Sequence, residues 1–154
     1  MIESGRPKGF MRSAGYWIAV ASRVDSLERL ESQEAPWWCM PREARLGDRI
    51  LIYRTKSVSP KWHGLFAEFR LKGILEDELG ECRKYGSFSG FHGIPVKVTL
   101  ERMRLFSEPI PIYKLRDDPE IAYTAAVRRN FQGTFFSLEP KVYSKIDELL
   151  RQGG

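Results

Sequence analysis

Apolar positions fall along this chain in short dense runs, separated by charged or glycine-rich stretches. Tyr16-Trp17-Ile18-Ala19-Val20-Ala21 has the aromatic and branched content of a buried strand. Asp25 offers an N-cap for a short helix reaching Leu30, with Leu27 and Leu30 three apart on one face. Arg45-Leu46-Gly47-Asp48 reads as a turn feeding Arg49-Ile50-Leu51-Ile52-Tyr53-Arg54, an apolar run with charged ends that predicts a core strand. Gly64 to Leu71 predicts another strand. Val96 to Phe106 alternates well enough for one long strand, with Val96, Val98 and Leu100 on one face. Glu139-Pro140 precedes apolar residues at Val142, Tyr143, Ile146, Leu149 and Leu150, a helical spacing with proline at the permitted first turn. No repeat and no regular β-α-β alternation occurs, so the pattern predicts an α+β, barrel-like domain in preference to a doubly wound sheet.

Two segments break the pattern. Trp37 and Trp38 stand side by side between Pro36 and Pro41, and a proline-bounded segment resists helix and central strand alike. That predicts an irregular, surface-near loop holding two indoles, and aromatics on loops point to binding. In an extended loop the two adjacent rings face opposite sides, so one packs while the other lines a pocket. Lys84 to Gly93 places Tyr85, Phe88 and Phe91 three apart among Gly86, Gly90 and Gly93, a glycine density that excludes a stable helix. Its rings either form the wall opposite the tryptophans or plug onto the core. Trp17, among apolar neighbours, is expected in the core.

Composition narrows the setting. The 154 residues, 42% of them hydrophobic, suit one compact domain, here residues 15–151, preceded by a flexible basic leader over 1–14. No apolar run approaches the roughly 20 residues of a membrane span, and Met1 to Arg12 lacks the apolar core of a signal peptide. A cytoplasmic protein is expected; Cys39 and Cys82 show no metal-type spacing, one possible disulfide is a weak signal for secretion, and in that compartment both thiols are expected reduced. The net charge is +5, and between Arg42 and Lys72 eight basic residues face three acidic ones, so that window alone accounts for the whole surplus. Cations beside exposed aromatics suit nucleic acid, in which phosphates meet charge and bases meet rings; a solvated basic face has the same composition.

Catalytic chemistry is thinly supplied. His63 and His92 sit in no recognisable motif, Glu76-Asp77-Glu78 with Glu81 reads as a solvated connection, and the glycines of Lys84 to Gly93 lack the lysine and helix of a phosphate loop. No metal or cofactor is expected, and the chain does not read as an enzyme.

The order Tyr16-Trp17-Ile18, Trp38-Cys39-Met40-Pro41, Leu46-Gly47-Asp48-Arg49-Ile50-Leu51-Ile52-Tyr53 and Gly64-Leu65-Phe66, closed by Leu138 to Leu150, resembles the EVE domain over roughly residues 15 to 151. EVE domains belong to the PUA-like superfamily beside the YTH domains. The resemblance implies a single-domain twisted β-barrel flanked by short helices, and a non-enzymatic module that reads a modified, methylated base flipped into an aromatic cage. DNA is favoured over RNA, as for the specificity domain of a modification-dependent restriction system, fused to or associated with a nuclease or NTPase and monomeric by itself. Carried over by motif, Trp38 is one cage wall, with Trp37 the extra ring, and the second wall falls among Tyr85, Phe88 and Phe91, where this sequence has no tryptophan. Ala21, Ser22 and the backbone of Cys39 would meet the base edge. The basic window supplies Arg42, Arg45, Arg54, Lys56 and Lys61 as phosphate contacts. Two other readings stand beside this one: an RNA-binding PUA-like domain without modification preference, and an enzyme on a nucleotide or small molecule with His63 or His92 as general base.

Overall fold

The computed structural model describes residues 15–31, 36–86, 88, 91, 93–129 and 134–153. The leader expected over 1–14 lies outside them, as does His92. Six strands, β1 (Tyr16–Ala21), β2 (Trp37–Met40), β3 (Arg49–Arg54), β4 (Gly64–Leu75), β5 (Val96–Ile110) and β6 (Phe135–Leu138), form one sheet in the order β2-β5-β4-β3-β1-β6. Among the described residues its only parallel pair is β1 with β3. Parallel neighbours need a long crossover, and here it contains helix α1 (Val24–Glu31) and then β2, which leaves for the far edge. Asp25 lies inside α1, which begins one residue before it, while Leu27 and Leu30 are buried as their spacing predicts.

The central strands read as continuous apolar runs because both sheet faces are covered. Trp17, Ala19, Ala21, Ile50 and Ile52 join one apolar cluster with α1, β2 and the segment after β4. Ile18, Val20, Leu51 and Tyr53 join a second cluster on the opposite face, under the helices α3 (Pro119–Ala122), α4 (Ala125–Arg128) and α5 (Pro140–Gly153), with α2 (Ile112–Leu115) at its side. The closing helix is therefore where its periodicity predicts, with Pro140 as its first residue.

β4 and β5 run longer than their alternation suggests, and their pairing slips at three places, between Leu65 and Ala67, Glu68 and Phe69, and Leu71 and Gly73. Each irregularity bends the ladder and increases its twist, which curls the sheet into a half-barrel. Where β5 ends, its backbone passes so close to Gly64 that a Cβ there would lie 2.4 Å from the Ile110 carbonyl oxygen; Gly64, at φ +130°, admits the approach.

On the second face the Glu68 side chain is only 1% exposed. Its carboxylate accepts from Arg49 Nη1 at 2.9 Å, Arg104 Nε at 2.7 Å and the Tyr143 hydroxyl of α5 at 2.5 Å. Arg104 also pairs with Asp147 of α5 at 2.6 Å. A buried carboxylate survives only when its lone pairs are occupied, so this network fixes the last helix on the sheet. Burial and then the hydrogen bond to Glu68 push the Tyr143 phenol up to about 12. Among the described residues no helix is long and apolar enough to cross a membrane.

Removal of the phenol in Tyr143→Phe leaves Glu68 one donor short and should cost about 1–2 kcal/mol in urea denaturation. The wild type has a further signature, because a phenol whose folded pKa exceeds its unfolded value contributes stability below about pH 10 that fades as pH rises toward 12. Tyr143→Phe should lack that share of the alkaline decline.

Candidate nucleic-acid interface

The proline-bounded tryptophans form a strand, not a loop. β2 pairs antiparallel with β5, Trp37 opposite Thr99 and Trp38 opposite Val98. The prolines do not prevent this, because they stand just outside the four paired residues and β2 is an edge strand, where a missing donor is tolerated. The Pro36 carbonyl even extends the contact by accepting Leu100 N–H at 2.9 Å. Alternation then separates the rings. Trp38 is 6% exposed within the apolar cluster, while Trp37 is half-buried with the Lys97 ammonium 4.4 Å above its ring.

Cys39 and Cys82 are joined as a disulfide, with Cα atoms 5.5 Å apart across 43 residues of sequence, where reduced cysteines were expected. The sequence hides the pairing because the turn that brings Cys82 back to β2 is made by an isolated side chain. Asp77 accepts the backbone N–H groups of Cys82 at 3.0 Å and Arg83 at 2.8 Å. Desolvation pushes the Asp77 carboxyl up, but the Arg83 and Cys82 N–H donors and the Arg83 charge outweigh it and hold it below the usual range. Of the acidic run, Asp77 thus shapes a turn, and Glu81 pairs with Lys97 at 2.6 Å. Among the described residues no group of three His, Cys, Asp or Glu side chains is placed to hold a metal ion.

From this staple the chain crosses toward the other edge of the sheet. A short 3-10 turn at Arg83–Tyr85 precedes Phe88, whose ring meets Phe135 of β6 edge-on at 4.7 Å. Phe91 lies 5.5 Å from Trp17 of β1. Trp17 is itself pinned, its Nε1 donating to Asp48 Oδ2 at 2.9 Å, and the same buried carboxylate accepts the N–H groups of Gly15 at 2.7 Å and Arg45 at 2.9 Å. Downstream Gly93, at φ +76°, lies under the Arg42 side chain, whose Nη1 would be 2.7 Å from a Cβ at that position.

One contiguous apolar cluster therefore brings together Trp38, Cys39, Ala21 and Phe88, with Phe91 and Trp37 packed against it. Tyr85 stays outside, 45% exposed with its ring 5.4 Å from Phe88. Phe88 is a core plug as well as a candidate wall. Ala21 is fully buried and its carbonyl accepts Thr55 N–H at 3.2 Å, while Ser22 is exposed at the strand end. The five expected phosphate contacts all reach solvent: Arg42, Arg45, Lys56 and Lys61 are exposed and Arg54 is half-buried. Within the basic window Arg49 and Arg70 are spent on Glu68 and Glu101. Arg54 lies 4.5 Å over the Phe66 ring and donates through Nε to the Trp62 carbonyl at 2.8 Å; burial lowers its pKa and the charge of Glu31 partly restores it. His63 is half-buried, with Nδ1 3.0 Å from the Pro60 carbonyl oxygen, a contact that holds a loop. Sequence patterns single out no contact for Trp62; the signal for it was its place next to His63, in a loop with two lysines and no acid.

Solved structures share this fold at low sequence identity. A hypothetical protein from Leishmania major matches with a TM-score of 0.64 at 12% identity, covering 92% of this chain and 97% of that one. The human THYN1 protein, solved in complex with 5-methylcytosine containing DNA, matches with a TM-score of 0.61 at 12% identity over 89% and 98%. The DUF55 domain of human thymocyte nuclear protein 1 matches with a TM-score of 0.61 at 14% identity over 88% and 98%. No protein-family model matches the sequence, nor does any curated protein. The architecture is that of the EVE-type, PUA-like fold.

Opening the disulfide frees a long loop in the unfolded chain, so Cys39→Ser with Cys82→Ser should lower stability by about 2–4 kcal/mol. Chemical denaturation of wild type with and without dithiothreitol should reproduce that difference, and the double variant should no longer respond to the reductant.

Proposed function

We propose that this chain is a non-enzymatic module that binds nucleic acid carrying a modified base, most favourably a methylated base in DNA, flipped out of the strand toward the aromatic cluster. The observation that carries the reading is the fold shared with a human domain solved on 5-methylcytosine containing DNA. It is supported by aromatic rings gathered beside cations that reach solvent. In this reading Trp38 is one face of the cage and a ring from Tyr85, Phe88 or Phe91 the other, with Ser22, Ala21 and Cys39 at the base edge. Because Trp38 is nearly enclosed, a base stacks on it only after a neighbouring group in the cluster moves aside. Tyr85, already exposed, is the ring that a base meets without that opening.

The energetics are consistent with such a module. Eversion costs a few kcal/mol, and each base-aromatic stack returns about 1–3 kcal/mol, so two rings suffice. A methyl group adds only about 0.8 kcal/mol through burial. Discrimination therefore rests on cage shape and on donors left unmatched by the wrong base. Arg42, Arg45, Arg54, Lys56 and Lys61 supply phosphate contacts whose contribution falls with salt. The biological setting we propose is the specificity component of a modification-dependent restriction system, acting with a nuclease or NTPase and monomeric as an isolated domain.

Fluorescence anisotropy with matched duplexes, one bearing 5-methylcytosine and one not, at two salt concentrations, tests the reading. Tighter binding of the modified duplex, lost in Trp38→Ala, is expected, whereas Arg45→Ala should weaken both duplexes alike. Equal affinity for both duplexes, indifferent to Trp38, would sink the modified-base reading, and preference for folded RNA would point to the unselective RNA-binding alternative.

A further inference from the structure

The loop that joins β3 to β4, residues 55–63, holds an exposed indole beside two of the proposed phosphate contacts, and the cage does not use that ring. Its sequence, Thr-Lys-Ser-Val-Ser-Pro-Lys-Trp-His, contains two lysines and no acid. Trp62 is 54% exposed, whereas Trp17 and Trp38 are buried and Trp37 half-buried. An indole left in water forgoes a large burial contribution, and here the exposure is not a consequence of an unfixed backbone. Trp62 N–H donates to Ser59 Oγ at 3.2 Å, and its carbonyl accepts from Arg54 Nε at 2.8 Å. Val58 and Ser59 N–H groups both donate to the Thr55 carbonyl at 3.1 Å. Arg54 is anchored in turn on the Phe66 ring, and Val58 packs on the apolar cluster that holds Trp38. The loop is therefore fixed to the rim of the candidate site with its indole turned outward. Lys56 and Lys61 are exposed and make no ion pair among the described residues.

We propose that Trp62 is a second, sequence-tolerant contact to nucleic acid: its ring stacks on a base outside the cage while Lys56 and Lys61 hold the flanking phosphates. This rests on the nucleic-acid reading above but not on modification preference. A held, exposed ring on a loop that also presents two exposed cations matches what a stacked base and its flanking phosphates require. A membrane surface fits less well, since an interfacial anchor needs a broad apolar face and this loop exposes one large apolar ring.

The test uses the full chain with a fluorescein-labelled single-stranded 12-mer, and with the same sequence carrying one modified cytosine. Trp62→Ala should weaken both about tenfold, Trp62→Phe should recover most of the loss, and tryptophan emission quenched on binding should be smaller in Trp62→Ala. Wild-type binding that Trp62→Ala leaves unchanged would overturn the inference while leaving the cage reading standing. Equal loss on both strands with no modification preference in the wild type would do the reverse. Absence of binding to either strand, or binding to anionic phosphatidylserine vesicles that alone depends on Trp62, would overturn it as well.

Discussion

An open, curled sheet has two free edges, and the geometry of this domain depends on how they are spanned. β2 and β6 are the outermost strands, and the segment after β4 is tied to both: covalently to β2 through Cys39–Cys82 and by ring contact to β6 through Phe88 on Phe135. Asp77 holds the turn that delivers Cys82, and Phe91 extends the contact to Trp17 of β1. The same segment contributes Cys82, Phe88 and Phe91 to the apolar cluster that holds Trp38.

The opposite face shows why that segment can be concerned with a site. There the sheet is locked by the Glu68 carboxylate, whose partners come from β3, β5 and α5, and by Tyr143 stacked on Tyr16 at 4.1 Å. Helix α5 also carries Asp147, which takes the other arm of Arg104. The Glu68 ion pairs thus lie beneath the sheet, while Arg42, Arg45, Lys56 and Lys61 are exposed to solvent. An even charge count along the sequence would miss this division, because Arg49 and Arg70 belong to the structural set and their neighbours do not.

Much of the fold was legible because it rests on local periodicity. The cores of β1 and β3, the single face of Val98 and Leu100, and the start of α5 at Pro140 all follow from patterns within one element. What escaped depends on contacts distant in sequence. The prolines around Trp37 and Trp38 argue against a central strand, and only the topology reveals that β2 lies at an edge. The disulfide bridges 43 residues and depends on the Asp77 turn. The extra length of β4 and β5 comes from bulges that shift the alternation. At the site, Trp38, Cys39, Ala21 and the two phenylalanines do share one cluster, but their burial, which decides what a ligand meets first, cannot be read from residue type.

A crystal structure of the chain bound to a duplex with a single modified base would bear most directly on the proposed function. An everted base seated against Trp38, with the segment bearing Phe88 and Phe91 displaced from its unbound position, is the expected result. A duplex with every base stacked and only phosphates in contact, the cluster closed as in the free protein, would contradict it.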